Sequence, residues 1–216
     1  MASRPSATSR RQVKGEYIET DSGNKVSRKA SIAGTANITL GGKTVIQSDV
    51  ILRGDLHRLP STKPDGTGIP HAPTAISIGR CTVISSGCVL RPPSRLSRGT
   101  YSFYPMKIGD NVFIGHHSIV QAASISSHVY IAEHCVLQPF CIVKENVKIL
   151  SHTVVPANMV IPSNSLVAGR PARVIGEVGE GWGCTPGAPG EGGRGATVAG
   201  EWVEGGELRE LVRSIK

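Results

Sequence analysis

The pattern of apolar positions along the chain repeats neither as a helix nor as a simple strand. From Ile108 onward an aliphatic residue recurs in steps of six: Ile108, Ile114, Val120, then Ile125, Ile131, Leu137, Val143, Ile149, Val155, Ile161 and Val167. The single irregularity is the step of five from Val120 to Ile125. Helices repeat at 3.6 residues and strands at 2, so a fixed period of six needs another architecture. It predicts an all-β chain folded as a left-handed parallel β-helix, a triangular prism in which each hexad is one short strand and one bend. Three hexads close a coil, and coils stack at about the 4.8 Å strand spacing.

Two further positions of the hexad agree. Counting the aliphatic residue as position 1, position 5 is small or β-branched and points inward near a corner: Val112, Ser118, Val129, Cys135, Cys141, Val147, Thr153, Met159, Ser165. Position 4 is Asn111, His117, His128, His134, Phe140, Asn146, His152, Asn158 and Asn164. Asn and His tolerate positive φ, which a tight corner demands. His117, His134 and His152 therefore form a column of corner residues, as do Asn111, His128, Asn146 and Asn164.

The same spacing organises the rest of the chain. Leu40, Ile46 and Leu52 belong to early coils, and Ile78, Ile84 and Leu90 resume the repeat after a Pro/Gly-rich loop at 57–75. A second excursion, 91–107, is basic and aromatic. The predicted organisation is a polar basic tail at 1–14, a β-helix at 15–175 with loops at 57–75 and 91–107, a Gly-rich linker at 176–206, and a C-terminal helix at 207–216. That helix places Leu208, Leu211, Val212 and Ile215 on one face and is short enough to need a packing partner. It is the expected cap for the C-terminal coil. The N-terminal coil edge is expected to be covered by another subunit, because an open strand edge templates aggregation.

Charge narrows the function. The net charge of +8 is supplied by two stretches without acids: Arg4, Arg10, Arg11 and Lys14 in the tail, and Arg91, Arg95, Arg98 and Lys107 in the second loop. A protein-wide basic face for nucleic acid is therefore not expected. The tail has the Arg- and Ser-rich composition of a mitochondrial transit peptide but lacks an apolar helical face, and reads as solvated. No apolar run has the length of a membrane span, so no direct membrane insertion is expected. The odd count of five cysteines, without a CxxC pair, points to reduced core thiols at Cys88, Cys135 and Cys141 in a cytosolic protein. The 91–107 stretch adds Tyr101, Phe103 and Tyr104 to its four cations; Arg and Tyr anchor interfaces, so Arg91, Arg95, Arg98, Tyr101, Phe103, Tyr104 and Lys107 are the expected partner-binding residues.

The middle of the chain resembles the γ-class carbonic anhydrases. Ile51-Leu52-Arg53-Gly54-Asp55 is similar to a stretch of that family, and Ile78 to Arg91 to the segment ending in its first metal histidine. On this resemblance Ser85 stands at the catalytic glutamine position, and Arg91 and Gln121 stand at two of three ligand positions. Only His116 is kept. A catalytic zinc needs three protein ligands and an open position, so no metal and no cofactor are expected, with His116 as a residual candidate. An acyltransferase would need a catalytic histidine, for which His57 and His71 in the first loop are the unassigned ones.

A more specific resemblance covers residues 16–175. Glu16-Tyr17-Ile18-Glu19-Thr20, Ser22 to Arg28, Arg53-Gly54-Asp55-Leu56, Arg91-Pro92-Pro93, Phe103-Tyr104-Pro105 and Ile108-Gly109-Asp110 are similar, in that order, to the dynactin subunit five family. The resemblance implies a non-catalytic subunit of the dynactin pointed-end complex in the cytoplasm. It would sit beside dynactin subunit six, the pointed-end actin-related protein and dynactin subunit four, and help couple dynein to cargo such as early endosomes through endosomal cargo adaptors. The other reading is a γ-carbonic anhydrase-like or hexapeptide acyltransferase enzyme.

Overall fold

The computed structural model describes residues 16–56, 74–97 and 99–178, together with Leu208, Val212 and Ile215. It folds as a left-handed parallel β-helix with three faces, here A, B and C. The chain opens with a hairpin of β1 (Tyr17–Glu19) and β2 (Lys25–Ser27), and the first coil is β2, β3 (Ser31–Ala33) and β4 (Ile38–Leu40). The second is β5 (Val45–Ile46), β6 (Ile51–Arg53) and β7 (Ile76–Ile78); the third begins with β8 (Val83–Ile84) and β9 (Val89–Leu90). Before that coil closes, the chain leaves it as a hairpin of β10 (Ser94–Ser97) and β11 (Thr100–Phe103), then returns in β12 (Met106–Ile108). Three regular coils follow: β13 (Phe113–Ile114), β14 (Ile119–Val120), β15 (Ser124–Ile125); β16 (Val129–Ile131), β17 (Val136–Leu137), β18 (Ile142–Val143); and β19 (Val147–Ile149), β20 (Val154–Val155), β21 (Val160–Ile161). A last face-A strand, β22 (Ser165–Ala168), pairs antiparallel with β23 (Arg173–Glu177). Face A is thus β1-β2-β5-β8-β13-β16-β19-β22-β23, face B β3-β6-β9-β14-β17-β20, and face C β4-β7-β12-β15-β18-β21.

The hexad register is the one the sequence predicts. Ile108 through Val167 at position 1 are all buried and stack coil on coil, for example Ile114 on Ile131 and Ile131 on Ile149. All nine position-4 residues have positive φ, from 53° at Asn111 to 64° at Phe140. The skipped residue between Val120 and Ile125 falls at a corner filled by buried Ala122. The first coil begins earlier than Leu40: Val26 lies on Ile46 and Ile32 on Leu52. The single-turn 3₁₀ segment Thr35–Asn37 lengthens the step from Ile32 to Leu40 to eight and hides this coil from a six-residue count.

The C-terminal segment does not sit where the cap argument put it. A helix as an element lies outside the described residues, but Leu208 and Val212 have helical backbone and are buried against Val45 and Val83, beside Tyr17, Phe113 and Ile215. Those partners point outward from face A, near the N-terminal coils. Lys25 Nζ donates to the Val212 and Ile215 carbonyls at 3.1 and 2.5 Å, satisfying acceptors that a helix end leaves open. The C-terminal coil is closed instead by the return through β23: Val154 N–H donates to Gly169 O at 3.0 Å, and Ala172 N–H donates to Val154 O at 2.8 Å. The excursion at 91–107, expected as a loop, contains the β10–β11 hairpin. The 1–14 tail, loop residues 57–73 and linker residues 179–206 lie outside the described residues.

Cys88, Cys135 and Cys141 are buried free thiols at the small inward position. Burial pushes the Cys88 thiol up to about 11 and the Cys141 thiol up to about 12, from an ordinary 9.0. In the unfolded chain these thiols ionise near 9, so their contribution to stability is complete below that pH and is lost as pH rises toward the folded values. The denaturation midpoint is expected to fall above pH 9, with a shallower decline in Cys141→Ala. In the native protein Cys88, Cys135 and Cys141 should stay closed to a thiol reagent until unfolding.

Candidate interaction surfaces

The three positions carried over from the metalloenzyme pattern do not converge on a ligand set. Arg91 is an exposed cation, and Gln121 is half-buried. His116 is exposed, with Nδ1 2.9 Å from Ser86 Oγ. Among the described residues no group of three or more His, Cys, Asp or Glu side chains is placed to hold a metal ion. His117, His134 and His152 do form the expected column. Their rings stack at 5.4 and 5.1 Å, with interplanar angles of 15° and 3°. Stacked parallel imidazoles direct their nitrogens sideways rather than at one point. The second column is a polar ladder, with Asn111 Nδ2 3.2 Å from His128 Nε2 and Asn146 Nδ2 donating to Asn164 Oδ1 at 3.1 Å. His57 and His71 lie outside the described residues.

The 91–107 excursion splits into an anchored base and a presented tip. Tyr104 meets Phe140 edge-on at 5.3 Å and 73°, and the Arg95 guanidinium lies over the same ring at 5.2 Å. Phe140 is the residue that breaks the Asn/His rule at position 4, and this contact explains it: the ring is where the hairpin lands, holding a cation and an aromatic edge. Phe103 is also partly buried. At the other end Leu96 and Tyr101 are direct cross-strand partners, 57% and 66% exposed. Arg91, Arg95 and Lys107 are also exposed; Arg98 lies outside the described residues. Leu96 was not among the expected contact residues, because only pairing with Tyr101 makes it part of a patch.

The two prism ends differ. At the C-terminal end Val155, Ile161 and Val167 are fully buried. At the N-terminal end Val26, Ala30, Ile32, Ile38 and Leu40 pack on the core but are only partly buried. In strand pairing the ends are alike: β1 covers β2 and β23 covers β22, whereas β3 and β4 at one end and β20 and β21 at the other have no strand beyond them among the described residues.

A sequence family described as dynactin subunit 5 matches residues 10–63 and 68–186. The chain belongs to the dynactin subunit 5 family. The family match spans the whole prism, and its break at 64–67 falls inside the first loop. A family member from Dictyostelium discoideum, named dynactin subunit 5, is 40% identical over 114 residues, or 53% of this chain and 49% of that protein. The chain therefore spans about half the length of this curated relative. Among solved structures, a hexapeptide transferase family protein from Anaplasma phagocytophilum is similar at a TM-score of 0.50 and 21% identity, over 73% of this chain and 80% of that one. A variant of AntD, an N-acyltransferase from Bacillus cereus, is similar at 0.52 and 18%, over 72% and 81%. At such identities the likeness extends to the fold alone, and the family's hexad prism is shared with transferases.

Proposed function

We propose that this chain is a non-catalytic subunit of the dynactin pointed-end complex, working in the cytoplasm on the microtubule cytoskeleton. Family membership across residues 10–63 and 68–186 carries the reading. Its role there is to help couple dynein and dynactin to cargo such as early endosomes, with dynactin subunit six, the pointed-end actin-related protein and dynactin subunit four as neighbours. Two surfaces suit an assembly subunit. The N-terminal end leaves β3 and β4 without a neighbouring strand and Val26, Ile32 and Leu40 incompletely covered, which suits the end of another β-helix such as dynactin subunit six. The hairpin presents Leu96 and Tyr101, and the 91–107 excursion also exposes Arg91, Arg95 and Lys107, which suits an acidic partner.

Coexpression with dynactin subunit six should raise solubility and slow hydrogen exchange of amides within 26–40. Protection confined to 155–167 would place the partner at the opposite end and defeat the assignment. Charge reversal of Arg95 and Arg98 together should reduce recovery of the pointed-end subunits and flatten its salt dependence without unfolding the coil stack, the change being confined to the hairpin and its Arg95 contact with Phe140. Unchanged recovery would remove the hairpin from the interface. Stoichiometric zinc lost in His116→Ala, or measurable CO₂ hydration, would overturn the non-catalytic reading.

A further inference from the structure

Ser31 is the only serine or threonine of the chain with a cation at both the third and the second position before it, in Arg28-Lys29-Ala30-Ser31-Ile32. Arg28, Lys29 and Ser31 are exposed, and Ile32 is half-buried. Ser31 opens β3, the outermost strand of face B at the N-terminal end. It stands in register with Ile51 and, one coil further, Val89, so its side chain points away from the prism axis. The turn before it is held locally. The amides of Arg28, Lys29 and Ala30 donate to Glu16 O at 3.1 Å, Ser27 Oγ at 3.3 Å and Ser27 O at 3.1 Å, and none of these acceptors lies on the second coil. The Ser31 amide, by contrast, donates to Val50 O on the second coil at 2.8 Å. Residues 28–30 can therefore open without taking β3 off its neighbour. Local bonds and few buried contacts mark the part of a structure that opens at low cost.

We propose that Ser31 is a phosphorylation site for a serine/threonine kinase that selects basic substrates, and that its phosphorylation and the docking of a partner on the N-terminal coil exclude each other. A kinase of that class places acidic side chains against cations two and three residues before the acceptor and an apolar pocket against the residue after it. Lys29, Arg28 and Ile32 supply all three groups, and charge-assisted pairs to the two cations select this serine over the others. The step moves the γ-phosphoryl group of ATP. A bond forms between Ser31 Oγ and the γ-phosphorus, and the bond from that phosphorus to the β,γ-bridging oxygen breaks. ADP leaves with the electron pair, and the hydroxyl proton passes to the kinase's catalytic aspartate.

The phosphate brings a charge of about −1.5 to −2 to the edge of the prism. Ser31 directly precedes Ile32, which with Val26, Ile38 and Leu40 is incompletely covered at that end. A partner laid on this edge has to strip water from the phosphate, and a buried charge without a matched partner opposes docking. Conversely, a docked partner shields Ser31 from the kinase. The exclusion rests on the assembly reading above; the assignment of the acceptor does not.

The purified full chain, incubated with magnesium ATP and the catalytic subunit of cAMP-dependent protein kinase and mapped by mass spectrometry, tests this. Phosphate is expected on Ser31, is absent there in Ser31→Ala, and is taken up several-fold more slowly in Arg28→Ala and in Lys29→Ala, with melting of each variant recorded as the check on folding. Dynactin subunit six added before the kinase should slow the uptake several-fold. The phosphorylated chain should bind that subunit several-fold more weakly than the unmodified chain, and Ser31→Ala should bind it like the wild type. No phosphate on Ser31 overturns the proposal, as does a rate unmoved by both Arg28→Ala and Lys29→Ala. Phosphorylation at Ser31 that leaves binding of subunit six unchanged overturns the exclusion. If the unmodified chain does not bind subunit six at all, the assembly reading of this end fails, while the phosphate on Ser31 is still read on the chain alone; the two failures are therefore separable.

Discussion

Ile131→Asp is expected to abolish folding. The side chain is fully buried between Ile114 on the coil before and Ile149 on the coil after. Removing the isoleucine forfeits about 1.5–3 kcal/mol of burial. An unpaired charge in that position adds a desolvation penalty of about several kcal/mol. Together these approach the whole stability of a typical domain, about 5–15 kcal/mol. The outcome is read from the loss of the β-type circular dichroism spectrum and of a cooperative melt. A native spectrum and an unchanged melt would mean that the hexad register is wrong. The mirror experiment, Tyr130→Asp, changes the neighbouring outward residue of the same strand and should spare the coil.

Gly109→Ala should destabilise without any change of polarity. A Cβ at Gly109 would lie 2.7 Å from the Ser126 carbonyl carbon and 2.8 Å from Ser127 N, both on the next coil. Gly41 and Gly79 occupy the same corner on earlier coils, and a Cβ on Gly41 would lie 2.6 Å from the Gly79 carbonyl carbon. The obstacle is backbone rather than a side-chain end, and that backbone is held by the coil-to-coil hydrogen bond from Gly109 N–H to Ile125 O at 2.8 Å. Overpacking of this kind costs about 1–3 kcal/mol. For a chain of this size that is a fall of about 2–12 °C in Tm. Gly176→Ala is the control: its new methyl would meet only Leu166, at 3.8 Å, and should melt like the wild type. Equal Tm values for all three proteins would show that the corner can widen.

The coil stack was legible because its constraints are local and repeated. Burial at position 1 and positive φ at position 4 leave a residue-type mark on every hexad, and Ile108 to Val167 carries eleven such marks. The first coil was not legible, since the 3₁₀ turn at Thr35–Asn37 breaks the count between Ile32 and Leu40. Surface relations were read less well. Phe140 stands out in the sequence as the wrong residue for its corner, but nothing local says that Arg95 and Tyr104 reach it. The amphipathic pattern at Leu208, Val212 and Ile215 shows that the segment needs a surface. The matching signal, outward-facing Val45, Val83 and Phe113 on face A, becomes visible only when the register assigns those residues to the outside. The expectation of no metal site rests on the sequence alone, where Arg91 and Gln121 stand at two of the three ligand positions of the resemblance.

The docking of the C-terminal segment onto the first coils also sets a schedule for synthesis. Lys25 and the Val212 carbonyl it binds are 187 residues apart. At about 5–20 residues per second the ribosome needs roughly 10–40 s to travel between them. Coils can stack in order as they emerge, since each rests on the one before. The strip of Val45, Val83 and Phe113 cannot be covered in that order; it waits, apolar and open to chaperones, until the end of the segment that covers it has left the exit tunnel.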